Sequence, residues 1–433
     1  MTFNPFTYGN PISDPTRFFG RQQEVEQVFI RLRNAETESS SIVGERRIGK
    51  TSLLHYLKHP EVRRRFGVES ERYIFIYSDL QMVDQKTTST RLYQRWMRQL
   101  AMACPDPQVK TLANEIRDSA VIDNFALADL FDTIDYKNFH VVFLLDEFEK
   151  VTSNQNFKPD FFYGLRSLAI QHNLTLITSS RSELIELTHS KEIKSSPFFN
   201  IFANINVRLL SLDEAQQLIN TSLLESGIKF TEEDMKLVLR LSGNHPFFLQ
   251  ASCHFLFDGY QKNLEQPERV KYLLKEFREE SDPHLSDYWH HSPENEKIVL
   301  TALALLDRQG HAEQHTFSLE RLQELYARSD QTLDRLEKRG LLVERDTGYA
   351  LFSPIFSDWI LAEITDTMSD SISYQDWLKS NQGVMERLGR EARHQFGDIL
   401  PRVAANYRDL VVDWASDPRN WVSVATLLKG VLS

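Results

Sequence analysis

With 433 residues, 41% hydrophobic and 26% charged, the chain has the composition of a globular protein of about three domains, which excludes disordered and fibrous classes. Its 50 basic residues against 61 acidic ones leave a net charge of −11, which argues against a protein whose main task is to coat phosphate backbones. Cys104 and Cys253 lie too far apart for a metal pair, the apolar runs Val141–Leu145 and Ile298–Leu306 fall short of a bilayer span, and the start MTFNPFTYGNP has no secretory pattern. A cytoplasmic location without membrane contact is expected.

Residues 1–20 are rich in Pro, Gly, Asn and Asp, which favours turns, and their aromatics need a surface to cover. Val25, Val28, Phe29 and Leu32 recur at helical spacing over Gln22–Arg33, and Ser41–Val43 reads as a short strand. A helix over Lys50–Leu57, a strand at Tyr73–Tyr77, helices through about 87–103 and 107–118, and strands at Val141–Leu145, Leu174–Thr178 and Ile205–Leu209 follow. Strands alternating with helices predict an α/β fold with a parallel sheet, whose ligands bind at the carboxyl ends of the strands.

After Leu210 the pattern is helical, with capping signals at Ser211-x-x-Glu214 and Thr231-x-x-Asp234, and a break at Gly243-Asn244-His245-Pro246. Helices over Glu296–Leu306, from Leu319 and over Ser329–Arg339 precede two short strands, Leu341–Glu344 and Tyr349–Phe352, around the turn Asp346-Thr347-Gly348: the order of a winged helix-turn-helix. The expected plan is an N-terminal segment (1–20), an α/β core (21–210), a helical lid (211–285), a winged helix domain (286–368) and an all-α C-terminal module (369–433) containing Trp377, Trp414 and Trp421.

Gly44-Glu45-Arg46-Arg47-Ile48-Gly49-Lys50-Thr51 satisfies GxxxxGK[ST] between an apolar strand and a helix, the pattern of a P-loop. The Gly44 and Gly49 backbone wraps round phosphates, the amides from Ile48 to Ser52 and the helix N-terminus favour anionic oxygens, Lys50 adds a point charge, and the Thr51 hydroxyl suits Mg²⁺. Arg46 and Arg47 have two readings, a phosphate contact or a salt-bridged surface arginine. Val141–Leu145 delivers Asp146 and Glu147 at a strand end roughly 95 residues later. Asp146 suits the outer sphere of Mg²⁺, and Glu147 can take a proton from an attacking water. The next strand ends in Thr178-Ser179-Ser180-Arg181, where Arg181 is placed to read a γ phosphate or is an ordinary surface arginine.

GERRIGKTSLL, the strand ending in Asp-Glu, the strand ending in TSSR, and SGNHPFFLQ together resemble the STAND ATPases and the similar archaeal-type P-loop ATPases of the AAA+ group, over about residues 8–365. The resemblance implies ATP/ADP and Mg²⁺ binding, slow ATP hydrolysis and a conformational switch. It assigns phosphate and metal to Lys50 and Thr51, metal to Asp146, water activation to Glu147, sensing to Arg181, and the adenine side to Phe19, Gly20, Arg21 and Pro246. It also implies a closed ADP state, an open self-associating ATP state, and a signal relayed to a partner effector, a role compatible with prokaryotic defence against phage. Arg91, Arg95 and Arg98 are candidates for an arginine finger, and the sequence leaves open whether one of them reaches a neighbour's ATP.

The chain departs from the resemblance at one place: where NB-ARC relatives carry Met-His-Asp, it reads Leu351-Phe352-Ser353-Pro354, without a histidine for the ADP β phosphate. No effector motif is visible, so the output passes to a partner. The apolar tail residues Trp377, Leu378, Trp414, Trp421, Leu427 and Leu428 either contact that partner or pack on the winged helix. The alternative is a DNA-associated AAA+ ATPase like the origin-recognition loaders. Charge disfavours DNA, since residues 294–355 hold eight bases against eleven acids and a DNA reader wants a basic face. His311-Ala312-Glu313-Gln314-His315 has its glutamate out of place for a zinc hydrolase, and His284, Trp289, His290 and His291 read as polar surface.

Overall fold

Five β-rich runs build one parallel sheet in the computed structural model, which describes residues 3–34, 38–68, 71–224, 226–293, 295–297, 299–301, 303–304, 329–345 and 348–369. The strands are β1 (Ser39–Val43), β2 (Tyr73–Asp79), β3 (His140–Asp146), β4 (Leu174–Ser180) and β5 (Phe202–Asn206), in the order β2-β3-β4-β1-β5. β1, β3 and β4 are buried along their whole length, as strands covered on both faces must be, and β2 alternates as an edge strand does.

The helices in chain order are α1 (Gln22–Arg33), α2 (Lys50–Lys58), α3 (Pro60–Arg65), α4 (Ser89–Ala103), α5 (Pro107–Asp118), α6 (Asn124–Tyr136), α7 (Glu149–Thr152), α8 (Pro159–Gln171), α9 (Lys191–Lys194), α10 (Leu212–Leu223), α11 (Glu232–Ser242), α12 (Pro246–Gln261) and α13 (Gln266–His290), then α14 (Ser329–Lys338) and α15 (Pro354–Ser369). Between the last two, β6 (Leu342–Arg345) and β7 (Gly348–Leu351) pair antiparallel. One cluster of apolar side chains, from Val25, Phe29, Leu53, Leu57, Val142 and Ile177, packs with α1 and α2, and a second, from Trp96, Phe131, Phe143, Phe162 and Leu176, packs with α4, α6 and α8. Two amphipathic layers on a doubly covered sheet are what an α/β fold requires.

Three elements differ from the expectation. The fifth strand lies earlier than Ile205–Leu209, because β5 pairs parallel with β1 from Ser39↔Phe202 to Val43↔Asn206, and the Val207 amide closes that ladder on the Val43 carbonyl. α6 and α8 fill stretches that carried no expected element. Each has a start signal: the Asp123 carboxylate accepts from the Ala126 amide, and Pro159 opens α8. The expected caps at Ser211 and Thr231 both form reciprocal capping boxes, and Gly243 closes α11 in the left-handed conformation.

Among the described residues the chain divides into two compact units, one of Tyr8–Glu225 with His245–Phe247, the other of the residues before Tyr8, Ser226–Asn244 and the described chain from Phe248. The second unit has an aromatic interior: Phe248 lies 5.5 Å from Phe352 and packs edge-on to Phe277 and Tyr288, and Phe352 reaches Phe356. The Ser353 hydroxyl donates to the Leu241 carbonyl, so the Leu351–Pro354 stretch is used for packing within this unit. His290 and His291 bond back to the carbonyls of Ser286 and Asp287 on their own helix. Among the described residues no helix is long and apolar enough to cross a membrane. The His311–His315 stretch, the helix expected from Leu319 and the tail beyond Ser369 lie outside the described residues, and Glu296–Leu306 is described only in part.

Candidate functional site

The strand order sets three chain segments side by side. β1 lies between β4 and β5 and leads into the Gly44–Thr51 loop; β4 beside it is followed by Arg181; β3 beyond ends at Asp146 and is followed by Glu147. Residues up to about 140 positions apart in sequence therefore meet at one end of the sheet, where parallel α/β folds bind ligands.

The loop after β1 is shaped by two left-handed residues, Arg47 at φ +65° and Gly49 at φ +104°. Gly44 has no room for a side chain, since a Cβ there would sit 2.7 Å from the Val207 carbonyl oxygen. At Gly49 a Cβ would meet nothing within 4 Å, so the loop is open on that side. Gly49 caps α2 without a side-chain hydrogen bond, leaving the first amides of the helix facing outward as an anion-binding end. Lys50, buried, donates to the carbonyls of Gly44 at 2.8 Å and Glu45 at 3.1 Å, across the mouth of the loop. This open cradle with an ammonium at its centre fits a polyphosphate. Thr51, half-buried in the first turn of α2, and the Asp146 carboxylate supply the oxygen donors Mg²⁺ prefers.

Asp146 is 2% exposed and fully engaged: one carboxylate oxygen accepts from the Tyr77 hydroxyl at 2.9 Å, the other from the Ser179 hydroxyl. Burial, together with the Asp146 charge, pushes the Tyr77 phenol well above its ordinary range, so it remains a donor. Ser179 does more than bond Asp146. Its hydroxyl accepts from the Glu147 amide at 3.1 Å and its carbonyl from the Phe148 amide at 2.9 Å. These bonds hold Glu147 at φ +56°, a conformation that costs a non-glycine residue about 1–2 kcal/mol. The chain thus turns off the strand at Glu147 without a glycine.

Arg181 sits against two carboxylates. Its Nε lies 3.4 Å from Glu45, and its amide donates to Glu149 at 3.1 Å. Glu149 was not singled out in the sequence, because it stands in the four-residue helix after the Asp-Glu pair and nothing local signals its burial. Burial, with the Glu147 charge beside it, raises its carboxyl to about 7, and the Lys50 charge offsets part of that rise. Its second oxygen is buried without a hydrogen-bond partner. Glu45, wholly buried inside the loop motif, and Tyr77, carried in by the neighbouring strand, are further site residues that the sequence alone did not reveal.

The segment before α1 is tied to the same loop. The buried Arg21 guanidinium donates to the Ile48 carbonyl at 3.2 Å and pairs with Glu24, while its amide and Glu214 close a contact at 2.9 Å. Burial lowers the Arg21 guanidinium, and the Glu24 and Glu214 charges restore part of the loss. Gly20, at φ +72°, meets the same Glu214 carboxylate, and Phe19 is half-buried beside it in sequence. The Arg47 guanidinium donates to the Gly9 carbonyl at 3.0 Å and lies 5.2 Å from the Phe247 ring centre, next to Pro246, and the Ser52 hydroxyl accepts from the Ile12 amide. Arg46 is exposed, its amide donating to Glu45. Loop, segment and the His245–Phe247 stretch thus gather Phe19, Gly20, Arg21, Arg47 and Pro246 within one unit. On α4, Arg91, Arg95 and Arg98 are all exposed along one side of the helix.

A P-loop fold with a strand-end acid pair beside it defines the class: a P-loop NTPase. The chain matches the family described as Novel STAND NTPase 2 (nSTAND2) over residues 28–304, well over half its length, and belongs to that family. Among solved structures it is similar to the Walker-type ATPase of Pyrococcus abyssi, at 18% identity and TM-score 0.53 over 81% of this chain and 98% of that one. It is also similar to the ORC2 protein of Aeropyrum pernix in its ADPNP–ADP complexes, at 13% identity and TM-score 0.54 over 85% of this chain and 98% of that one. At those identities the likeness is one of fold. No curated protein matches the chain.

Proposed function

We propose that the chain is a slow ATPase that works as a nucleotide-gated switch: closed with ADP, open and self-associating with ATP, and relaying that change to a partner effector through residues 369–433. The observation that supports this best is the convergence of Lys50, Asp146, Glu147 and Arg181 at one end of the sheet, with the Arg181 backbone amide bonded to the carboxylate of Glu149, two residues after Glu147. A switch needs a group that senses the γ phosphate and is mechanically joined to something else.

Bound ATP with Mg²⁺ supplies an electrophilic phosphoryl group. Lys50 and the amides of Gly49 to Ser52 bind its phosphates, with Thr51 and Asp146 as metal donors and Phe19, Gly20, Arg21, Arg46, Arg47 and Pro246 toward the base and loop. Glu147 takes the proton of the attacking water, and Arg181 faces the charge that develops on the transferred group. The Arg181 guanidinium beside Glu45 is a poised position: swinging toward a phosphate exchanges that carboxylate partner for a stronger anion. Defence against phage is the setting proposed for such a switch, following the resemblance to prokaryotic STAND proteins.

Steady-state phosphate release with Mg²⁺ and ATP tests the proposal. Turnover is expected in wild type and a loss of at least about 100-fold in Glu147→Gln, in keeping with the weight of a general base. Equal rates in the two proteins would overturn the role of Glu147, and no turnover in wild type, even when assembled, would leave a scaffold in place of a switch.

A further inference from the structure

The far end of α2 carries a second cluster that the nucleotide site does not use. A cavity of about 350 Å³ opens there beside the edge strand β2, lined by Ser13, His55, Lys58, His59, Arg63 and the aromatic strand residues Tyr73 and Phe75, with smaller contacts from α4's end. Its lining holds four basic side chains and no carboxylate.

These bases are unusual in what they lack. Arg63 is only 8% exposed, and its Nε has no hydrogen-bond partner; the Nδ1 atoms of His55 and His59 are likewise buried without one. The Arg63 guanidinium lies 4.6 Å from the centre of the Phe75 ring, and Lys58 Nζ 4.7 Å from that of Tyr77, so both cations rest on aromatic faces rather than on acids. Burial lowers the Lys58 ammonium and the Arg63 guanidinium; burial and then the Lys58 charge lower His55, with Asp146 pulling the other way. Asp14 is close enough to His59 to feel its charge, but its carboxylate is taken by the Thr16 hydroxyl and amide. A buried guanidinium with an unpartnered Nε–H, in a cavity that holds further bases and no acid, is costly unless an anion completes it.

We propose that this cavity is a second anion site that binds a phosphate group, either as the free ion or on a small phosphomonoester, with Lys58, Arg63 and His59 as its principal ligands. A planar guanidinium beside an ammonium is the donor set that recognises phosphate, and the volume suits a small molecule rather than a chain. The site is also placed to reach the nucleotide machinery. His55 packs edge-on to Tyr77 at 4.8 Å, Lys58 covers the same ring, and the Tyr77 hydroxyl donates to Asp146. An anion that draws Lys58 off the ring therefore loosens Tyr77 on Asp146. That consequence rests on the proposed nucleotide site, whereas the binding does not.

Calorimetry on the full chain separates the two. With the wild type saturated in ADP, so that the P-loop is filled, inorganic phosphate and glucose 6-phosphate are titrated separately. Saturable binding of at least one is expected, weakened tenfold or more in Lys58→Met and in Arg63→Met, and retained in Lys50→Ala. Tighter binding of glucose 6-phosphate assigns the site to phosphomonoesters, and tighter binding of inorganic phosphate assigns it to the free ion. Lys58→Met keeps the apolar stem over Tyr77, so unchanged melting in that variant makes its result decisive whatever Arg63→Met does to folding. Absence of saturable binding of both probes in wild type, binding unaffected in folded Lys58→Met, or binding abolished by Lys50→Ala would overturn the proposal.

Discussion

At the carboxyl end of the parallel sheet the interior is polar: Ser78, Asp146, Thr178, Ser179 and Ser180 are all buried. In the unit that holds α13 and α15, comparable depth is filled by rings, with Phe248, Phe277, Tyr288, Phe352 and Phe356 at 5% exposure or less. Burying a hydroxyl or carboxylate without partners costs a few kcal/mol, roughly 1–3 on mutational scales, whereas burying a ring is favourable by itself. The sheet end sustains its polar interior through bonds such as Ser179 to Asp146 and Tyr77 to Asp146. The contrast separates a region shaped for chemistry from one shaped for packing, and it can be broken from either side.

The largest effect is expected in the aromatic unit. Gly243 has φ +54°, and a Cβ there would fall 1.7 Å from the Phe352 carbonyl oxygen, so Gly243→Ala forces backbone apart. A loss of about 3 kcal/mol or more is expected by chemical denaturation, with the Lys50 loop untouched; a loss below about 1 kcal/mol would mean that the packing there is loose. Ser179→Ala comes next. It strips a donor from buried Asp146 and an acceptor from the Glu147 amide, for about 2 kcal/mol, and it should lower turnover more than nucleotide affinity. A variant that loses stability but keeps full turnover would show that the held turn is structural only.

Thr231→Ala removes the cap of α11, where the hydroxyl accepts from the Asp234 amide at 3.1 Å, and should cost about 1 kcal/mol in the same denaturation experiment. The last effect is one of slope. The Glu149 carboxyl is raised to about 7 in the fold, so its protonated form favours folding: that contribution is complete below the unfolded value of 4.5 and is lost as pH rises through about 7. Glu149→Gln should therefore be more stable than wild type at pH 8 and indistinguishable from it near pH 4. An identical pH profile for the two proteins would place Glu149 in solvent.

The nucleotide loop was legible because its information is local. GxxxxGK[ST] specifies the tight turn, the amides and the charge within eight consecutive residues, Gly44–Thr51, and the structure shows that stretch running from the end of β1 into the first turn of α2. Asp146 was legible as a strand end, but its partners were not. Tyr77 arrives from the adjacent strand through the register that sets Tyr77 against Leu144, and Ser179 arrives from the strand on the other side. Glu149 and Glu45 carry no signal beyond their charge, since burial of an acid is a property of the fold around it. The same holds for β5, whose position follows from pairing with β1 rather than from its own hydrophobicity. The basic cavity was illegible for a further reason: His55, Lys58, His59 and Arg63 read as an ordinary solvated helix end until β2 is laid beside them.

The most direct test of the switch is the nucleotide released from freshly purified protein, measured with its mass in solution, for wild type, Lys50→Ala and Glu147→Gln. The account predicts ADP on a monomeric wild type, no nucleotide on Lys50→Ala, and retained ATP with a larger mass for Glu147→Gln. Protein that emerges empty and monomeric in every variant, and gains mass only with DNA, would contradict it and make a DNA-associated ATPase the better reading.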